Sequence, residues 1–196
     1  EFASFYRNLG VDVTVVEVLD RILPVEDEEI SALAQKSFEK DGMRIITSAK
    51  VKSFDKTANS VTATVEKGGK SQSIKVDRVI LAIGIVGNVE DIGIEGTKVK
   101  VDRGHIETNQ WSETGESGVY AIGDVAGPPW LAHKASHEGI ICIEKIKGEK
   151  SVYPLNKANI PGCTYSIPQV ASIGMTEARA KEAGHNVRVG RFPFMG

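Results

Sequence analysis

The order of periodicities in the first 48 residues constrains this chain most. Phe2, Phe5, Tyr6 and Leu9 share one helical face, and Gly10 is a natural stop. Residues 11–18, VDVTVVEV, are dense in Val and Thr and read as a buried strand. Pro24 marks a loop. Asp27, Glu28 and Glu29 then crowd a helix start, where carboxylates suit the positive end of the helix dipole. Ile30, Leu33, Ala34 and Phe38 give that helix an apolar stripe, and Asp41–Gly42 stops it. Residues 44–47 read as a second strand. Helix, strand, helix, strand is the pattern of a parallel sheet with crossover helices.

After residue 48 the pattern changes. Residues 61–65 and 72–76 alternate around the hairpin signal KGGK, and three antiparallel strands are expected here. A wholly apolar strand is expected over 79–83, ending at Gly84. Residues 85–118 are loop-rich, with a short strand pair near 98–108. Residues 119–122 read as another short apolar strand, closed by Gly123. Residues 135–147 read as a helix with Ile140, Ile143 and Ile146 inward, and 148–160 as a linker. CTYSIPQVASIG looks like the opening strand of a further unit, followed by a short helix over 176–184 that Thr176 caps and Gly184 stops.

Composition removes several classes of function. Twenty-four basic and 26 acidic residues leave a formal charge of −2, so no basic bias points to nucleic acid. No apolar run approaches membrane-spanning length. The opening residues lack the charged-then-apolar order of a signal peptide. Cys142 and Cys163 stand 21 residues apart, with no C-x-x-C and no metal-ligand spacing. They read as small buried hydrophobes in a reducing compartment. The first residues open inside a helix and the last stop in a strand running into a turn, so a segment of a longer protein is expected.

Two acids stand where chemistry is expected. Glu17 ends the strand after the first helix. In a dinucleotide-binding βαβ unit an acid at that tip receives the adenosine ribose hydroxyls and repels a 2′-phosphate, which selects NAD over NADP. Glu17 equally fits a solvated strand-end acid. Had a G-x-G-x-x-G loop come before this unit, Glu1 would lie just past it. Asp124 follows Gly123 at the end of an apolar run. It can accept from sugar or polyol hydroxyls, as in the ribityl chain of a flavin, and Gly123 permits close approach. Asp124 equally fits a cap for the VAGPP loop. The helix start near Ser136 favours an anion or a carbonyl oxygen. His133 and Lys134 read as structural or contact groups ahead of catalytic ones.

The stretch GVYAIGDVAGPPWLAHKASHEG resembles the second flavin motif of the pyridine nucleotide–disulfide oxidoreductases. The order agrees: EFASFYRNLGVDVTVVEVLDRILP is similar to the NAD half, and YSIPQVASIGMTEARAKEAG to the start of the dimer-interface domain. Within the family, LAHKASHEG and YSIPQVASIGMTE are most similar to the branch that oxidises dihydrolipoamide. Glutathione and mercuric reductases are the sibling alternatives, and a non-catalytic nucleotide-binding module or an assembly piece are others. The resemblance implies an α/β fold: a Rossmann-like parallel sheet with an antiparallel meander, a partial flavin domain and the start of an α+β dimer-interface domain. It implies an NAD-binding domain over 1–84, a central and flavin-binding segment over 85–152, and the start of the dimerisation domain over 153–196.

The implied cofactors are FAD and NAD. Glu1, Glu17, Val51 and Gly84 would serve NAD, and Gly123, Asp124, Trp130, Leu131, Ala132 and His133 the flavin. The implied partners are dihydrolipoamide on the lipoylated carrier domains of 2-oxoacid dehydrogenase complexes and a second copy of the parent, with no nucleic acid and no membrane. The implied location is cytoplasmic, or the mitochondrial matrix in a eukaryote. The family's redox C-x4-C pair and its His–Glu pair are not matched here, and AIGIVGNVED departs from the commoner G-R-x-P-N pattern. The segment alone is therefore expected to be inactive and to associate with missing pieces or exchange strands.

Overall fold

The structure, a computed structural model, describes residues 1–194. In chain order, helix α1 (Phe2–Asn8) leads to strand β1 (Thr14–Val16), helix α2 (Glu28–Lys40) and strand β2 (Arg44–Ile46). Strands β3 (Ala49–Lys56), β4 (Val61–Lys67) and β5 (Lys70–Val76) follow, then the short pair β6 (Val101–Asp102) and β7 (His105–Ile106). Helix α3 (Ala132–Lys147) precedes strands β8 (Gly162–Thr164) and β9 (Val170–Ser172) and helix α4 (Glu177–Glu182). The chain divides into two compact units: Glu1–Leu81 with Pro161–Gly196, and Ala82–Ile160.

The first unit holds the expected βαβ crossover. β1 and β2 are parallel, with Thr14 opposite Arg44 and Val16 opposite Ile46. α2 starts where the acids gather, with Asp27 at its N-cap, and ends before Gly42, whose φ of +90° suits a residue without Cβ. β3, β4 and β5 form the antiparallel meander. Lys67 faces Lys70 across Gly68 and Gly69, both at positive φ, as a two-residue hairpin turn requires.

Two apolar clusters hold this unit. Ile22, Ala34, Phe38, Met43 and Val170 form one; Ile46, Ala49, Ala63 and Val65 form the other. Val170 ties the last segment of the chain into the first cluster. Polar tethers add to it. The Ser4 hydroxyl accepts from the Ile167 amide at 2.9 Å, and the Asp27 carboxylate accepts from the Glu177 amide at 2.7 Å. The Thr176 hydroxyl caps α4 by accepting from the Arg179 amide, and Gly184 follows at φ +84°, as the sequence indicated.

Several expectations fail for reasons of pairing and facing. The strand expected over 11–18 shortens to β1, because only those residues meet β2. Residues 79–83 form no strand: Leu81 is 67% and Ile83 93% exposed, and a strand exists only where its backbone finds a ladder partner. Residues 119–122 keep a single antiparallel bridge, Glu113 to Tyr120, and only Ala121 is buried. Phe2, Phe5, Tyr6 and Leu9 are exposed, while Ser4 is the buried residue of α1. Ile30 and Leu33 are exposed too, while Ala34 and Phe38 of the same stripe are buried.

The largest reversal is in α3. Ile140, Ile143 and Ile146 are 56%, 64% and 52% exposed, and the buried residues are Lys134, Glu138 and Cys142. Those three recur every four residues and so line one face. Among the described residues no helix is long and apolar enough to cross a membrane.

Candidate functional site

The site builds outward from Gly123. This residue sits at φ +74°, buried, at the start of a one-turn 3-10 helix (Gly123–Ala126). Its position requires glycine twice over: the left-handed φ penalises a side chain, and a Cβ would stand 3.2 Å from the Ala135 Cβ. Both of its backbone groups are held by α3. Its N–H donates to Glu138 Oε2 at 2.8 Å, and its carbonyl accepts from Lys134 Nζ at 2.9 Å. Lys134 Nζ also donates to Glu138 Oε2 at 3.0 Å. The lysine is 1% exposed and the glutamate 8%, so the charges are buried as a pair and satisfied by hydrogen bonds.

Asp124 follows, exposed, beside the N-terminal end of α3. Leu131 is the N-cap of α3, no side chain caps it, and no acid stands in its first turn. A helix start of this kind offers backbone N–H groups to an anion or carbonyl oxygen. Trp130, Leu131, Ala132 and His133 lead into that turn, and all but the partly buried Leu131 are exposed. The Trp130 indole N–H donates to His105 Nε2 at 3.1 Å, with the rings 5.8 Å apart. Since Nε2 accepts, the proton of the neutral imidazole lies on Nδ1, 3.1 Å from the Arg103 carbonyl. The structure thus brings Gly123, Asp124 and residues 130–133 together, and adds His105, Lys134 and Glu138.

The second group of acids lies in the first unit. Glu17 follows β1 directly, at the carboxyl ends of the parallel strands, the place where α/β sheets bind ligands. Its N–H donates to the Ile46 carbonyl and its carbonyl accepts from the Ala49 N–H, which ties it to the start of β3. Its Oε1 accepts from the Leu19 N–H at 2.8 Å, and Oε2 remains for a ligand hydroxyl. Val51, two residues past Ala49, is partly buried beside a β-bulge between Val51 and Ser53. Glu1, at the N-cap of α1, accepts through Oε1 from the Tyr165 N–H at 2.8 Å. Gly84 falls in the second unit, exposed, where a Cβ would meet nothing within 4 Å.

The donor set fits two cofactors. Acceptor carboxylates at Asp124 and Glu17 match the hydroxyls of a polyol and of a ribose, and the α3 start matches a polar ring edge. Among the described residues no group of three or more His, Cys, Asp or Glu could hold a metal ion. Cys142 and Cys163 are free thiols. Burial first, and the Glu113 charge second, push the Cys142 thiol above its ordinary value.

Sequence reasoning missed His105 and Glu138. The Lys-x-x-x-Glu spacing on one helix was a readable signal for Glu138. His105 is 25 residues from Trp130, and nothing local joins them.

Comparison with known proteins matches this geometry. A family model described as pyridine nucleotide-disulphide oxidoreductase matches residues 1–139, and that of its dimerisation domain matches 160–196. A dihydrolipoyl dehydrogenase of Rhizobium etli is 58% identical over 195 residues, 99% of this chain and 40% of that protein. One from Zymomonas mobilis is 48% identical over 196 residues, 100% of this chain and 42% of that protein. The chain thus spans about two fifths of the length of these relatives. Among solved structures, LpdA from Mycobacterium tuberculosis matches with a TM-score of 0.85 at 28% identity, covering 96% of this chain and 40% of its own. The HOCl-induced flavoprotein disulfide reductase RclA of Escherichia coli, as a Cu(II) complex, matches at 0.84 and 25% identity, covering 94% and 41%.

Proposed function

This chain belongs to the pyridine nucleotide-disulphide oxidoreductase family, and on that premise we propose that it is a segment of a dihydrolipoyl dehydrogenase. The observation that carries this reading is the 58% identity to one such enzyme along 99% of the chain, against 25% to the RclA disulfide reductase. The full-length protein oxidises dihydrolipoamide carried on lipoylated domains of 2-oxoacid dehydrogenase complexes and reduces NAD. It works as a homodimer through the domain that residues 153–196 begin, in the cytoplasm or, in a eukaryote, the mitochondrial matrix. Residues 1–84 belong to its NAD-binding domain and 85–152 to its central and flavin-binding part.

FAD and NAD supply the electron- and hydride-transfer chemistry when bound. The chain's own residues bind and orient them. The Asp124 carboxylate accepts from the ribityl hydroxyls. The backbone of Trp130, Leu131, Ala132 and His133 lines the flavin, and Gly123 keeps the approach clear. The Glu17 carboxylate accepts from the adenosine ribose with Oε2, because Oε1 is taken by Leu19. A phosphate on that ribose would meet a like charge, which favours NAD over NADP. Glu1, Val51 and Gly84 complete the nucleotide side. The free thiols Cys142 and Cys163 lack the spacing of a redox pair, so the segment on its own does not turn over dihydrolipoamide.

The test uses the full-length protein that contains this segment. Purified, it should show a visible flavin absorption spectrum and reduce NAD, not NADP, when given dihydrolipoamide. A colourless protein, or one that reduces NADP in preference, overturns the reading.

A further inference from the structure

We propose that Lys134 and Glu138 are positioning residues that preset the Gly123–Asp124 turn for the flavin polyol chain. The inference rests on the reading of Asp124 as a flavin ligand. The Lys134 ammonium and the Glu138 carboxylate are turned inward, their hydrogen bonds spent on Gly123 and on each other. They stand behind the turn and do not touch a ligand. The carboxylate holds the Gly123 N–H and the ammonium holds its carbonyl, so the peptide planes on both sides of this residue are fixed. Gly123 has more backbone freedom than any other residue type, and its φ of +74° would otherwise be one of several open to it.

Fixing that glycine fixes where the next residue, Asp124, presents its carboxylate. The pairing lets both charges stay buried without a net charge inside the unit. The ordering of the turn is then complete on folding and is not charged against ligand affinity.

The experiment titrates FAD into the flavin-stripped full-length protein and follows flavin fluorescence and visible circular dichroism. Lys134→Met/Glu138→Leu removes the clasp while leaving no lone charge. It should keep the wild-type far-ultraviolet circular dichroism, raise the FAD dissociation constant at least tenfold and alter the visible dichroism of bound flavin. Lys134→Met/Glu138→Gln restores an acceptor for the Gly123 N–H and should recover part of the loss. FAD affinity within twofold of wild type in the folded first variant, with Asp124→Asn weakened, overturns the clasp and leaves the reading of Asp124 standing. Wild-type affinity in Asp124→Asn overturns that reading, and the clasp with it. A measurement on the unmutated protein covers variants that fail to fold. The Gly123 amide should exchange slowly without FAD as well as with it, and slow exchange only with FAD overturns a preset turn.

Discussion

Lys134 Nζ lies 3.0 Å from Glu138 Oε2, and the two side chains grip opposite backbone groups of one residue, Gly123. On a helix surface such a pair four residues apart contributes little, but here both partners are buried. Removing one partner strands a buried charge, at a cost of about 3–5 kcal/mol. Lys134→Met alone and Glu138→Gln alone should each destabilise the full-length protein by that order. Lys134→Met/Glu138→Leu together should cost clearly less than either. Denaturant melts of the three variants check this, and additive losses would contradict it.

Gly123→Ala should be costly out of proportion to one methyl group. The left-handed backbone costs a side chain about 1–2 kcal/mol, and the new Cβ would also press on Ala135 at 3.2 Å. Thermal melts should show a lowered midpoint, while Gly84→Ala, in open space, should melt like wild type at the same site-independent readout.

The two thiols should differ in reactivity. Cys142 is 5% exposed, with its thiol held protonated by burial and then by Glu113, whereas Cys163 is partly exposed. Iodoacetamide near pH 8 should label Cys163 well before Cys142, as peptide mapping would show. Because the folded state holds the Cys142 proton longer than the unfolded state, this group's contribution to stability is full below the ordinary thiol range. It is lost as pH rises through the raised value. Cys142→Ala should flatten the alkaline decline in stability, and an unchanged decline would contradict the assignment.

Glu17→Gln should weaken NADH binding. A hydrogen bond to a charged group contributes about 1.5–3 kcal/mol, which corresponds to roughly tenfold or more in affinity. NADPH affinity should fall less or rise, since the like charge facing its phosphate is gone. NADH and NADPH fluorescence titrations of the full-length protein distinguish this from a carboxylate that only caps Leu19, where both would stay unchanged.

What could be read from the sequence was what lies close together in it. The βαβ order, the meander and the Gly123–Asp124–α3 stretch each arise within a few dozen residues, and local periodicity and turn residues report them. The strand expected over 79–83 was not secure, because strand formation depends on a partner elsewhere, and Ile83 stands 93% exposed. The inward face of α3 was misread because apolarity was taken as the mark of burial. Lys134 and Glu138 occupy that face as a satisfied pair, a property of two residues and a distant turn that no single-residue scale carries. The His105–Trp130 bond was hidden for the same reason.

The most direct measurement is a crystal structure of the full-length protein with FAD bound. The Asp124 carboxylate should stand within hydrogen-bond reach, about 2.5–3.0 Å, of a ribityl hydroxyl, with the first turn of α3 facing the flavin. A flavin bound elsewhere, with Asp124 and that turn both open to solvent, would contradict the account.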